Sequence, residues 1–366
     1  MNQTSLNRSF TTWSLLGFAA PSIIMMVFMS LYTIVDGIFI SRFVGSNALS
    51  SLNIVYPMIS VVIAIATMFA TGGNAIVSRY LGQGQEKQAR KALTEFVVIG
   101  VLISTVFAVL VILFEDPICR FLGANDELMS DCKAYLTISM LFAPACTLQT
   151  LFQSYFVTAS RPGLGLWLTA AAGILNAVLD YVLIVPIPLG IAGAALATGF
   201  GQLLPAAVGL IFFAIPHKTL RFCRFSSRPR DIRDACINGS SEMIGQMATA
   251  ITTFLFNIIL MRLAGSDGVA AMTILFYGQF LFNAFYLGFA IGIAPVVGYQ
   301  YGAGNRRELR KIYRISFLFT VISSIAMTAA SIILATPIVS VFTKEPETYA
   351  LADAGFKIFA VNFLFS

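Results

Sequence analysis

Charge is scarce in this sequence. Of 366 residues only 11% are charged, 58% are apolar, and the mean hydropathy is +0.84. A soluble domain carries about 25% charged residues, so a water-soluble fold of this size could not cover its surface. Disorder is excluded by the same composition. There are two Trp, one His and five Cys. Cys119, Cys132, Cys146, Cys223 and Cys236 form no CxxC and no Cys/His cluster, which argues against structural zinc and redox motifs. No HExxH and no GxSxG occurs, so no catalytic set stands out and no enzyme is expected. His217, just after Pro216 and beside basic residues, reads as interfacial. No run alternates with the two-residue period of an outer-membrane barrel. No cleavable signal peptide is expected, because the first apolar stretch is too long and lacks a cleavage site after a short core. What remains is an all-α polytopic membrane protein.

Apolar runs long enough to cross a bilayer recur at 14–38, 52–77, 93–114, 133–157, 165–186, 190–215, 237–261, 269–298, 313–335 and from about 350. That is about ten helices. With the N-terminus cytoplasmic, 17 of the 23 Lys and Arg fall on the inner side: Arg8; Arg79, Lys87, Arg90 and Lys91; Arg161; six between Lys218 and Arg233; and five between Arg306 and Arg314. The opposite loops hold Glu115, Asp116, Asp126, Glu127, Asp131, Asp267, Glu345 and Glu347. The basic-residue rule therefore predicts a multi-pass protein of a plasma membrane, N-terminus inside. The net charge of +6 is explained by orientation and calls for no nucleic-acid partner. Cys119 and Cys132 share an outward loop and could pair in an oxidising compartment, or act as isolated small apolar residues.

The chain also repeats itself. Arg42-Phe-Val-Gly45-Ser46 returns as Arg262-Leu-Ala-Gly265-Ser266, Gly82-Gln-Gly84 with Arg90 as Gly302-Ala-Gly304 with Arg310, and Pro117-Ile118 as Pro337-Ile338. All three pairs are 220 positions apart. The predicted organisation is an N-terminal six-helix lobe over 1–220, a linker at about 217–234, and a second lobe over 235–366 in the same orientation. Such parallel repeats are related by an axis along the membrane normal. The offset puts Ser366 opposite Cys146, so the expectation is a second lobe cut within its fourth helix. The complete pattern would have twelve helices in about 440 residues.

Asp36, Asp180 and Glu242 fall inside apolar spans. A mid-membrane acid costs about 2.5–3.5 kcal/mol on insertion scales and is a functional hypothesis by default. Counting about 1.5 Å per residue, Asp36 and Asp180 each lie about 9 Å from the outer end of their helices. Asn176 is one turn deeper than Asp180, and Thr198 reaches the same level from the next helix. These groups could hold Na⁺ through oxygen ligands, capture a proton between two carboxylates, or form a polar staple between helices. Glu242 is expected in the first turn of helix 7, near the inner face, where a helix N-terminus alone favours an acid. Gln149 with Gln153, and Gln279 with Asn283, are polar pairs at i, i+4 that could line a cleft or join helices. Pro21 supplies a hinge in helix 1. Tyr32 lies one turn before Asp36, and Met29 with Met25 and Met26 makes that helix adaptable.

These residues resemble the multidrug and toxic compound extrusion (MATE) family, in particular its DinF- and MepA-like bacterial branch. The resemblance is carried by Val35-Asp36-Gly-Ile-Phe-Ile-Ser-Arg42-Phe-Val-Gly45, and by Ser78-Arg-Tyr-Leu-Gly82-Gln-Gly84 with its copy Gly298 to Gly304. Asn176-Ala-Val-Leu-Asp180 and Ser160-Arg161-Pro-Gly163 add to it. It implies two six-helix bundles around a cleft and an antiporter that exports cationic, amphipathic compounds in exchange for H⁺ or Na⁺. It also implies a coupling-cation site at Asp36, Asn176, Asp180 and Thr198, and a bending helix at Pro21. Tyr32, Met29, Gln149, Gln153, Glu242, Gln279 and Asn283 are the expected lining of a substrate cavity. No cofactor beyond the coupling ion is expected. The partners are membrane lipids and small cationic substrates, and the protein is expected to be a monomer. A lipid-linked oligosaccharide flippase of related architecture is the alternative, disfavoured because the charges within the spans are acidic rather than basic.

Overall fold

A computed structural model describes residues 6–7, 9–216, 219–342 and 346–361. Arg8, His217, Lys218 and Glu345 lie outside the described residues, as do the side chains of Arg42, Arg262, Asp267 and Glu347. Among the described residues the secondary structure is helical throughout. In order, the helices are α1 (Thr12–Phe39), α2 (Ser46–Gly82), α3 (Glu86–Leu113), α4 (Glu115–Phe121), α5 (Met129–Leu141) and α6 (Ala143–Thr158). They continue with α7 (Pro162–Ile184), α8 (Ile191–Ala214), α9 (Pro229–Gly302), α10 (Arg306–Phe342) and α11 (Pro346–Phe359). Among the described residues seven helices are long and apolar enough to cross a membrane, and the bent pair α5 and α6 passes the same test when taken together. Both Trp side chains, Trp13 on α1 and Trp167 on α7, are exposed near the helix starts, where interfacial aromatic anchors are common.

Three local features differ from the sequence reading. The run 133–157 is not one straight helix: α5 and α6 meet at 51°. Pro144 at the start of α6 explains the break, because proline has no N–H to bond back into α5. The stretch after α1 is not an open loop. Ile40–Val44 forms a π-helical turn, and Gly45, at φ 117°, ends it before α2. The third difference is α9, whose helical hydrogen bonding runs unbroken across the expected loop at 262–268.

That long run nevertheless folds back. Gly72 on α2 abuts Ala235, and Gly82 abuts Tyr299. These α2 positions are about 15 Å apart, whereas Ala235 and Tyr299 would stand roughly 96 Å apart on a straight helix. The first limb of α9 therefore contains 237–261, and its second limb, Gly278–Gly302, returns beside α2.

The 220-residue offset reappears in the backbone. At the ends of α2 and α9, Gly84 and Gly304 have φ 72° and 70°. Gln85 N–H bonds Tyr80 C=O at 2.9 Å, and Asn305 N–H bonds Gln300 C=O at 3.0 Å. Both are the glycine-terminated Schellman cap, which closes the last free carbonyls of a helix. The two helices also cross reciprocally. A Cβ on Gly82 would lie 2.0 Å from the Tyr299 carbonyl oxygen, and one on Gly302 would lie 2.1 Å from that of Arg79. Gly298 faces Ser78, its own counterpart in the repeat.

These crossings lie at the end of the molecule that carries Lys87, Arg90, Arg306 and Arg307, called here the basic end. Further up, α1 meets the second limb of α9 at Ala19–Gly292 and Ile23–Gly288. Every hydrogen bond and glycine-mediated approach described between α1–α8 and α9–α11 lies in this basic half. The contacts described between the two halves thus join them at the basic end.

At that end, α4 and α5 bury Cys119 and Cys132 as free thiols. Burial, then the neighbouring Cys132 and Glu115, pushes the Cys119 thiol up to about 11. Alkylation of Cys119 at pH 8 is expected to run roughly 100-fold or more slower than that of an exposed thiol, with full labelling after denaturation. Mass spectrometry of the alkylated protein measures both.

Candidate functional site

Helices α1, α7 and α8 bring the four predicted site residues together. Asp36 stands in the last turn of α1, Asn176 and Asp180 share a face of α7, and Thr198 lies in the second turn of α8. The helices approach closely because Gly173 of α7 sits against Phe28 and Tyr32, and Gly201 of α8 sits against Ala172 and Asn176. Asn176 Nδ2 donates to Thr198 Oγ1 at 3.5 Å. The Asp36 and Asp180 carboxyl groups face each other within hydrogen-bonding reach. Asp180 is 1% exposed, and Oδ1 of each carboxyl is buried without a hydrogen-bond partner. Two carboxyl groups at this range repel unless a proton or a cation lies between them, and a buried polar atom without a partner is costly. A proton shared by the two carboxyl groups would relieve both costs.

Thr198 also lines a cavity of about 50 Å³, with Tyr135, Ser139, Cys146 and Gln202 among others. That volume admits a water molecule or a small ion. Tyr135, on α5, is buried and interacts electrostatically with both Asp36 and Asp180. Tyr135, Ser139 and Gln202 were not among the expected site residues. The signal was present: Tyr135 and Ser139 are one turn apart on one helix, and Gln202 is one turn after Thr198.

Four of the expected cavity residues pack among α1, α6 and α7. Tyr32 and Gln149 share a hydrogen bond. Gln153 Nε2 donates to Thr169 Oγ1 at 3.2 Å and lies 3.9 Å from Met29 Sδ. Gln149 and Gln153 are 5% and 6% exposed, so both face the interior of α1–α8. Pro21 lies between the two glycine-mediated approaches of α1 to α9, and α1 passes through it as one continuous helix.

The other three lie on α9. Glu242 is not in a first turn, because α9 begins at Pro229 rather than near 237. It is 13 residues along, about 20 Å from the helix start, so the helix N-terminus cannot account for it. It has no hydrogen bond or ion pair among the described residues. Gln279 and Asn283 sit on the second limb beyond its contacts with α1, and Asn283 Oδ1 is buried without a partner. At position 256, the counterpart of Asp36 in the repeat, stands Phe256, edge-on to Phe276 at 6.2 Å.

The pattern of the MatE family matches residues 21–182 and 243–366. The chain belongs to the MatE family. Among curated MatE-like relatives, "Multidrug export protein MepA" of Staphylococcus haemolyticus is 22% identical over 354 residues, covering 96% of this chain and 78% of that protein. The protein of the same name from Staphylococcus aureus is 23% identical over 367 residues, with the same coverage. Among solved structures, an outward-facing "multidrug resistance MATE family transporter of the MOP superfamily" superposes with a TM-score of 0.91 at 19% identity. It covers all of this chain and 82% of that one. A MATE protein "in the straight conformation" gives a TM-score of 0.90 at 20% identity, with the same coverage. The MATE fold expected from the sequence is therefore the fold observed.

Proposed function

We propose that this MatE protein is a secondary multidrug antiporter that exports cationic, amphipathic compounds in exchange for H⁺ or Na⁺. The carrying observation is the Asp36–Asp180 pair, with one buried, unpartnered oxygen on each carboxyl, beside Asn176 and Thr198. The MepA relatives, whose names describe multidrug export, support the substrate class.

In this reading the lobes 1–220 and 235–366, joined by the linker at 217–234, rock about the crossing of α2 and α9. The N-terminus is cytoplasmic in a bacterial plasma membrane. A cleft between the lobes opens alternately to the two sides, and a proton or Na⁺ reaches Asp36 and Asp180 from the outside. Neutralising the pair removes their repulsion and lets α1 settle against α7, with Pro21 as the point where α1 yields. A ligand drives such a switch only by binding the two states unequally, and the cation meets that condition by binding the closed carboxyl pair more tightly. Glu242, at mid-depth with no partner among the described residues, supplies the negative charge for a cationic substrate, with Gln279 and Asn283 on the facing limb.

The test is transport in proteoliposomes with imposed gradients. Efflux of ethidium is expected under an inward pH gradient, an inward Na⁺ gradient, or both. Efflux that is unchanged when both gradients are abolished would overturn the antiport mechanism.

A further inference from the structure

At the basic end, each half of the molecule holds the segment that leads into the other half. The lead-in to α1 runs to the second half: Gln300 Nε2 donates to Leu6 C=O at 3.1 Å, and Phe10 N–H donates to Glu308 Oε1 at 2.6 Å. The lead-in to α9 runs to the first half: Tyr80 OH donates to Asp231 Oδ1 at 2.8 Å, and Arg228 N–H donates to Glu95 Oε1.

The two sets follow the same plan. Tyr80 and Gln300 are equivalent positions, 220 apart, in the last turn before each Schellman cap. Each set adds one acid from the next helix, Glu95 on α3 and Glu308 on α10. Glu95 is fully buried and Glu308 is 8% exposed. Leu6 and Phe10 are also fully buried, in a cluster with Val157 of the first half and Val296 and Ile312 of the second. Each lead-in is thus fixed through backbone or carboxylate groups to a side chain that belongs across the crossing.

We propose that these two reciprocal clasps are the lock that keeps the basic end closed, and that both must release before the cleft can open there. The glycine contacts at the crossing carry no hydrogen bond between the two helices' own side chains. The clasps add directional bonds that any separation of α2 from α9 must break. The idea rests on the rocking motion in the proposed mechanism, but its test uses neither drug nor gradient.

The test places nitroxide labels at Lys87→Cys and Arg307→Cys, equivalent exposed positions on α3 and α10, in protein whose five native Cys are replaced. Electron-electron distance measurements then report the fraction open at the basic end. Tyr80→Phe and Gln300→Met remove the donors with little change in shape. Each is expected to raise the ratio of open to closed molecules about fivefold, the effect of losing one typical net hydrogen bond. The double variant is expected to exceed both. Glu308→Gln, which keeps an acceptor oxygen, is expected to stay near the wild-type distribution, and Glu308→Leu to shift it. An unchanged distribution in a monodisperse Tyr80→Phe/Gln300→Met protein would overturn the proposal. A protein that fails to export in proteoliposomes can still show the shift, so the two readings fail separately.

Discussion

Replacing Asp36 and Asp180 together by Asn is expected to reduce gradient-driven export at least about tenfold, to background, while leaving the protein at least as stable as before. The first half follows from charge. Asn keeps the shape and hydrogen-bonding capacity of Asp but cannot take up a proton or neutralise Na⁺, so the site no longer distinguishes the cation-bound state from the empty one. The second half follows from the cost of the native arrangement. Asp180 is 1% exposed and one oxygen of each carboxyl lacks a partner, so removing the charges relieves an unfavourable burial. A polar staple between helices predicts the reverse: lower stability with transport preserved. Ethidium efflux in cells and the thermal midpoint of purified protein separate the two. Each single variant is expected to lose most of the coupling, because one remaining carboxylate has no partner with which to share the cation.

Substituting Ala at Gly82 and Gly302 is expected to destabilise the protein strongly. A methyl group at either site would lie 2.0–2.1 Å from a carbonyl oxygen of the opposite helix. That neighbour is backbone in a packed crossing, so the helices must move apart. Overpacking of this kind costs about 1–3 kcal/mol, and more where backbone is met. Against it stands a gain of about 1 kcal/mol from replacing Gly inside a helix. The double variant is therefore expected to lose on the order of 3 kcal/mol, measured as a fall of several degrees in the thermal midpoint. Gly84→Ala is the control. No heavy atom lies within 4 Å of its Cβ position, so its cost is limited to the φ of 72°, about 1 kcal/mol. Equal losses at Gly82 and Gly84 would count against close helix crossing as the cause.

Much of this architecture could be read from residue order, and the exceptions share a cause. Helix positions follow from apolar runs, and the glycine pairs 82–84 and 302–304 announce the two matching caps. The carboxyl pair could be located because two acids in apolar runs stand at the same depth. Pro144 was visible but lay inside an apolar run that otherwise suited one span, so the 51° break was not anticipated. Glu242 was placed in a first turn because the Arg-rich stretch 228–234 looked like linker, whereas α9 starts at Pro229. Glu95 stands at the start of the run 93–114, and its burial against the lead-in to α9 rests on a contact that no pattern within one helix reveals. Tyr135 was missed because its significance comes from neighbours on other helices. Periodicity within one helix carries no information about which side chains arrive from α1 and α7.

The repeat also constrains how the two halves can diverge. At the crossing, Gly82 meets Tyr299 while Gly302 meets Arg79, so a bulkier residue in one copy disturbs the backbone of the other, and neither copy is free to drift alone. Asp36 and Phe256 occupy matching places but touch different neighbours: one faces a second carboxyl group, the other an aromatic ring. Those two positions can change independently. A duplicated frame of this kind lets one copy specialise in charge while the other becomes apolar, with the shared turns held in common.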